Sequence, residues 1–282
     1  MIAVMGGAIV IRIITEYPFM LNAVIASLLA SVICGIVGVI IVEKKLVMMS
    51  GGVAHTAYGG VGLGYLLGFE PIIGATLFSV GAALGIGALK RRGGANTDVI
   101  ISLFWALGMA LGIAFIAFMP GYPPDINSYL FGNILTVTHS DIFVMIPASV
   151  AVLLIMFIFY NDIKAYLFDE GFCAIIGMRV RIIEYTVLVM IALSVVILLR
   201  VAGIILVIAL LTAPSACAAL LSGNLKNRMI ISSVFSALFC ICGLFISYWL
   251  SIPSGATIIF VSVLTYATLL TATKIRDAKT AE

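Results

Sequence analysis

His55 is the residue of this sequence best placed to do chemistry inside an apolar stretch. It stands in Ser50-Gly51-Gly52-Val53-Ala54-His55-Thr56-Ala57-Tyr58-Gly59-Gly60, between two Gly-Gly pairs. Neutral imidazole is a ligand for zinc, manganese or iron. The flanking glycines leave the backbone open to close approach, so Gly51, Gly52 and Thr56 join His55 as candidates to line an ion pathway. A hydrogen-bonded structural histidine suits this window equally well. Further along, Pro214 in Leu210-Leu211-Thr212-Ala213-Pro214-Ser215-Ala216-Cys217 frees backbone carbonyls partway along an apolar run. Such breaks are tolerated where they line a cavity or pack against protein, which puts Pro214, Ser215 and Cys217 among the pathway candidates. Small residues in a tightly packed helix explain Ser215 and Cys217 as well. His139, two residues before Asp141, reads as a solvated loop histidine, and Glu184 is expected to pair with the nearby Arg179 and Arg181.

Several chemistries are absent. None of the seven lysines follows a glycine, so the chain has no Walker A Gly-Lys with which to bind ATP. It has no His-Glu-x-x-His, no Gly-x-Ser-x-Gly and no pair of carboxylates within an apolar run. An intramembrane enzyme built on His55 is therefore poorly supported. An ion-coupled secondary transporter should show acidic residues at mid-membrane, and there are none. A transport subunit powered by another chain fits better.

The elements that must position these residues follow from composition. The 282 residues are 63% hydrophobic and 10% charged, with a mean hydropathy of +1.29. A soluble domain is about 25% charged, so this chain cannot coat a globule with polar surface. A soluble enzyme, a disordered chain and a nucleic-acid binder are excluded. The five cysteines (Cys34, Cys173, Cys217, Cys240, Cys242) lack metal-ligand spacing and read as small packing residues. About 20 residues cross the ~30 Å hydrocarbon core. Apolar runs near that length fall at 19–42, 53–68, 71–89, 99–119, 142–160, 182–199, 202–221, 229–250 and 254–273. The second is short and the seventh holds Pro214, so the expected fold is an all-α polytopic transmembrane bundle of eight to nine spans.

Residues 1–18, with Arg12 within them, are too short to span and read as an interfacial segment. Residues 19–273 form one transmembrane domain and 274–282 a tail. With nine alternating spans, thirteen of the fifteen Lys and Arg fall on one side and only Arg12 and Arg200 on the other. The positive-inside rule then places the N-terminus outside and the C-terminus in the cytoplasm. Glu16, Glu70, Asp125 and Asp141 lie outside, with Tyr17, Tyr122 and Tyr129 as interface anchors. The chain is thus expected in the cell (inner) membrane.

Two further patterns remain. Gly60, Gly64 and Gly68 are spaced four apart, and Gly81-x-x-x-Gly85 and Gly108-x-x-x-Gly112 repeat the spacing in the next two runs. Small residues so spaced let helix backbones approach in lipid. The other cytoplasmic loops are a few residues long, whereas 161–180 (NDIKAYLFDEGFCAIIGMRV) carries Asp169-Glu170 before Gly171, and Gly177 six residues on. That length and mixed character predict a segment that docks into a partner.

Four blocks now carry a resemblance. Residues 52–68 (GVAHTAYGGVGLGYLLG), 127–141 (NSYLFGNILTVTHSD), 168–177 (FDEGFCAIIG) and 201–221 (VAGIILVIALLTAPSACAALL) resemble the permease subunits of bacterial and archaeal zinc/manganese/iron ABC importers. The blocks follow the order and spacing of that family, and the likeness extends from about residue 21 to 270. It implies a permease homodimer moving a divalent metal as substrate, with no cofactor in the chain. It also implies two cytoplasmic ATPase subunits and an extracytoplasmic metal-binding protein. Phe168, Asp169, Glu170, Gly171 and Gly177 would form the ATPase-coupling segment. Many family members carry an aspartate four residues before the histidine; here that position is Gly51. Glu70 lies fifteen residues beyond His55, roughly 20 Å along a helix, and does not replace it. The departure leaves open a permease for a metal chelate of the cobalamin or siderophore type.

Overall fold

The computed structural model describes residues 17–93, 96–121, 132 and 134–280. The expected interfacial segment up to residue 16, with Arg12 and Glu16, lies outside them, as do Tyr122, Asp125 and Tyr129 and most of the first half of the 127–141 block. The described residues are helical, with no strand. They form α1 (Pro18–Glu43), α2 (Val47–Leu67), α3 (Pro71–Arg92), α4 (Thr97–Ala117), a 3-10 turn (Ile134–Thr136), α5 (His139–Ile158), α6 (Tyr160–Phe168), α7 (Glu170–Ile175), α8 (Val180–Leu221), α9 (Leu225–Leu250) and α10 (Ser254–Thr280).

Local chemistry sets the helix ends. Proline opens α1 and α3 at a position whose N–H has no helical partner. Asn96 and Asn224 cap α4 and α9 by accepting from Asp98 N and Lys226 N. Thr138 and Asp141 form a reciprocal capping box at the start of α5. Gly68 ends α2 in the left-handed region, φ 74°, where nothing lies near a Cβ. Its role is to turn the chain into α3, so the packing function predicted for it from the Gly60/Gly64/Gly68 spacing is corrected.

Seven helices (α1, α3, α4, α5, α8, α9, α10) are long and apolar enough to cross a membrane by length and composition. Eight to nine were expected. The difference has two physical causes. Six glycines, Ser50, His55 and Thr56 dilute the hydropathy of α2, although its 21 residues are long enough and most are buried. It is a full-length helix, where a short or broken span was predicted. The second cause is that α8 is one 42-residue run, with a break at Gly203 (φ 71°, ψ 166°). The break expected at Pro214 is not there, since helical backbone continues through it. Glu184 of α8 sits against Lys90 and Arg91 at the end of α3, whereas Arg200 meets Glu70 at the start of α3. By Ser222 the chain is back near Arg228, which pairs with Glu43 at the end of α1. The run therefore reverses at Gly203, and Gly132 packs its backbone into that turn against Ala202. The last helix continues to Thr280, beyond the tail boundary predicted at 274.

The core runs through α1, α2 and α8. Gly35 and Gly38 of α1 let it press onto Ser233 of α9 and Leu211 of α8. On α2, Gly60 and Gly64 meet Gly74 and Pro71 of α3, while Gly59 and Gly62 meet the carbonyls of Gly108 and Gly112 in α4. Gly60, Gly64, Gly108 and Gly112 each lie against a neighbouring helix or its leading residue. Gly85 meets the Phe104 ring, but Gly81 faces open space. Cys34, Cys173, Cys217 and Cys240 are buried and Cys242 is exposed, all as free thiols.

Candidate functional site

The glycines of α2 decide where His55 stands. They draw α4 so close that its residues 101–108 run directly along the 51–56 face of α2. A Cβ on Gly52 would meet Ile101 Cγ2 at 2.7 Å, and one on Gly51 would meet Trp105 Cζ3 at 2.9 Å. His55 is the ninth residue of α2 and so lies nearer mid-helix than the span start predicted from sequence. Its imidazole stacks on the Trp105 indole, with ring centroids 4.2 Å apart and planes 17° from parallel. Its Nδ1 is buried and has no protein partner. The Thr56 hydroxyl lies 2.7 Å from Gly52 O and 3.1 Å from Phe104 O, which ties α2 to α4 beside the histidine. His55, Thr56, Gly51 and Gly52 therefore belong to one place. Nothing in the sequence window pointed to Trp105, because its contribution needs the α2–α4 approach.

Pro214, Ser215 and Cys217 fall elsewhere. Ser215 exchanges a 2.9 Å hydrogen bond with Ser232 of α9 and lies against Gly38 of α1. Pro214 and Cys217 are also buried. Ser215 thus packs helices together, as the alternative reading of its small size allowed. Among the described residues no group of three or more His, Cys, Asp or Glu comes together. A cation at His55 would draw its other ligands from carbonyls, water or a second copy of the chain.

The 161–180 segment folds into α6, α7 and the turns beside them. Asp169 caps α7 by accepting from Phe172 N at 2.9 Å. Glu170 pairs with Lys44 at 3.4 Å, and the same ammonium lies 3.7 Å from the Tyr166 ring centroid. Tyr166 and Cys173 point inward, while Phe168 (91% exposed), Phe172 and Ile175 face out. Burial pushes the Tyr166 hydroxyl well above its ordinary pKa. The carboxylates of Glu170 and Glu184 push the same way and Arg91 opposes them, so the phenol stays protonated. Gly177 closes the segment at φ 81°. Sequence singled out Phe168, Asp169, Glu170, Gly171 and Gly177, but missed Phe172 and Ile175 on the exposed face and Tyr166 beneath it.

Glu184 overturns its predicted pairing. It bonds Lys90 at 3.3 Å and Arg91, both on α3, with its own side chain only 4% exposed. Helix geometry explains this: Arg181 lies over the Tyr185 ring, and the α3 cations reach Glu184 across the bundle. Replacing Glu184 with Gln leaves the two cations without a counter-charge at the junction of α3 and α8. Because both are more than a third exposed, the expected cost is about 1–3 kcal/mol rather than that of a fully buried pair. Thermal unfolding in detergent should show a midpoint lower by several degrees. An unchanged midpoint would mean that the α3–α8 junction does not depend on this pairing. On the opposite face Arg200 pairs with Glu70 at 3.6 Å and with Asp141.

The chain is similar to known proteins in sequence and in fold. The model of the ABC 3 transport family matches residues 16–273. An uncharacterized membrane protein of Synechocystis sp. is 41% identical over 251 residues, covering 89% of both chains. The manganese transport system membrane protein MntC of Listeria innocua is 32% identical over 251 residues, again 89% of each. Among solved structures, PsaBC from Streptococcus pneumoniae in complex with Fab superposes with a TM-score of 0.84 at 30% identity, over 93% of this chain and 94% of that one. The chain is a membrane protein that belongs to the ABC 3 transport family, as a permease of the metal-importing ABC transporters.

Proposed function

We propose that this permease moves a free divalent ion (zinc, manganese or iron) into the cytoplasm, through a pathway at the α2–α4 face, driven by ATP hydrolysis on partner subunits. The observation that carries the reading is the near-complete superposition on a relative whose family imports metals, joined to a lone imidazole at mid-helix whose Nδ1 is buried and unpaired. A neutral imidazole binds a divalent ion without a buried charge to offset when the site is empty. Counting α2 and both arms of α8 gives nine passes. The N-terminus is then outside and the C-terminus cytoplasmic, on the side of the thirteen basic residues.

Two copies would form the pathway, two cytoplasmic ATPases would drive it, and an extracytoplasmic metal-binding protein would supply the ion. The exposed Phe168, Phe172 and Ile175 give the α6–α7 corner an apolar knob suited to an ATPase groove. Lys44, Glu170 and Tyr166 tie this corner to α1, so a push on the knob reaches the bundle as a rigid-body tilt that alternates access.

The test is uptake into proteoliposomes holding the chain with its cognate ATPase and binding protein. ATP-dependent accumulation of a free divalent ion is expected. ATP hydrolysis without accumulation of zinc, manganese or iron would overturn the free-ion reading and favour a chelated metal, the alternative that the bare position 51 leaves standing.

A further inference from the structure

We propose that Trp105 sets the ion preference of the His55 site by filling the room that a carboxylate at position 51 would need, so that the site selects ions of the zinc type over manganese. This inference rests on the proposed function and adds the choice of ion to it.

Position 51 is one helical turn before His55, so its side chain would share the histidine's face of α2. The structure closes that space. A Cβ at 51 would lie 2.9 and 3.4 Å from Trp105 Cζ3 and Cη2, and 3.5 Å from Ile208 Cδ1 of α8. A carboxymethyl group there has no room while the indole stays. The indole stays because it stacks on the imidazole at 4.2 Å, a near-parallel stack that also fixes the ring of His55. Neighbouring residues do not make up for the missing acid. No Asp or Glu occurs in α2, and the only one in α4 is Asp98, seven residues before Trp105 and about 10 Å along the helix. Among the described residues, the α2–α4 face therefore offers imidazole nitrogen and carbonyl oxygen without a carboxylate beside them.

Ligand chemistry decides what such a site holds. Manganese is the weakest binder of the first-row series and is suited by carboxylate and carbonyl oxygen, whereas zinc binds nitrogen sites more tightly and suits imidazole. An uncharged nitrogen site in an apolar bundle discards manganese first, because that ion gains least from the imidazole and most from the absent carboxylate. Trp105 acts through His55 and position 51, as a positioning residue. On this reading the chain departs from its relatives that carry manganese in their names.

The experiment is an equilibrium titration of the purified permease–ATPase complex in lipid nanodiscs with zinc and with manganese, without the binding protein, so that delivery does not mask the permease's own preference. Wild type is expected to bind zinc at least tenfold more tightly than manganese, and His55→Ala to lose that zinc binding. The Gly51→Asp/Trp105→Ala double variant, with the acid restored and its space opened, is expected to lower the zinc-to-manganese ratio at least tenfold. Gly51→Asp alone, with the indole in place, should lose binding of both ions. A merely structural role for Trp105 would not move the ratio. Equal affinities in wild type, no binding of either ion, or an unchanged ratio in a folded double variant would each overturn the proposal. If the double variant does not fold, Gly51→Asp/Trp105→Leu, which opens the same space with less loss of packing, is read in its place with the same expected fall in the ratio. Failure of the parent reading shows separately, as absence of ATP-driven uptake by the complete transporter.

Discussion

His55→Ala is expected to lower ATP-driven metal uptake by more than about a hundredfold while leaving the permease folded and bound to its ATPase. Disturbing residues that only support a metal ligand already costs about 10–100-fold, and removing the sole imidazole of the site should cost more. The structural cost is small. His55 makes no hydrogen bond through Nδ1, so alanine leaves no new polar orphan there, and what is lost is the stack on Trp105. An aromatic stack of this kind is worth about 0.5–1.5 kcal/mol, too little to unfold the α2–α4 pair. Thr56 continues to tie the helices through Gly52 O and Phe104 O. The measurement is initial uptake rate in proteoliposomes, with ATPase co-purification as the folding control. Uptake at the wild-type rate would make His55 a structural residue and move the ion pathway elsewhere.

The second large effect belongs to Gly60. In the structure the backbones of Gly60 and Gly74 touch, and a Cβ on either would fall against the carbonyl of the other; on Gly60 it would also lie 2.7 Å from Ala75 N. These are backbone atoms, so no rotamer change makes room. Gly60→Val should force α2 and α3 apart, and overpacking of this kind costs about 1–3 kcal/mol, occasionally more. The separation would also strip the contacts of Gly64 with Pro71, so a figure above that range, near 4 kcal/mol, is expected. The outcome in the laboratory is loss of a monodisperse peak in detergent, or a melting midpoint lower by about 8 °C or more, at 2–4 °C per kcal/mol for a chain of this size. Gly81→Ala is the control. It has nothing within 4 Å of the added Cβ, and alanine is the better helix former by up to about 1 kcal/mol, so its midpoint should hold or rise. If the two substitutions behaved alike, the α2–α3 contact would not be a backbone contact.

The comparison between these glycines shows where sequence reading stops. Gly60, Gly64, Gly68 and Gly81 all lie in four-residue repeats, and spacing alone treats them identically. The structure gives Gly60 and Gly64 to α3, Gly68 to a left-handed helix end, and Gly81 to open space. Spacing reports which residues share a helix face. It does not report whether another helix lies on that face. The Glu184 pairing failed for the same reason: Arg179 and Arg181 are near in sequence, but Lys90 and Arg91 are near in space. Pro214 and Gly203 exchanged roles, because a proline can be carried by neighbouring packing whereas a reversal of direction needs the positive φ that glycine reaches without strain.

By itself the sequence determined that this is a helical membrane protein, which apolar runs become its long helices, and that residues 161–180 differ from the other connections. These properties follow from the bilayer, which acts on every residue by its polarity alone and so writes itself into composition and run length. The four blocks at 52–68, 127–141, 168–177 and 201–221 also sufficed to place the chain in its family. Tertiary structure alone decided the surroundings of the histidine. Trp105 is fifty residues away in sequence, and only the glycine-mediated approach of α4 to α2 brings its indole onto the imidazole and into the space above Gly51. The same holds for the tie of Lys44, at the end of α1, to Glu170 and Tyr166 of the α6–α7 corner. Such contacts depend on which faces meet, and faces meet through close packing of many side chains at once, a property of no single stretch of sequence.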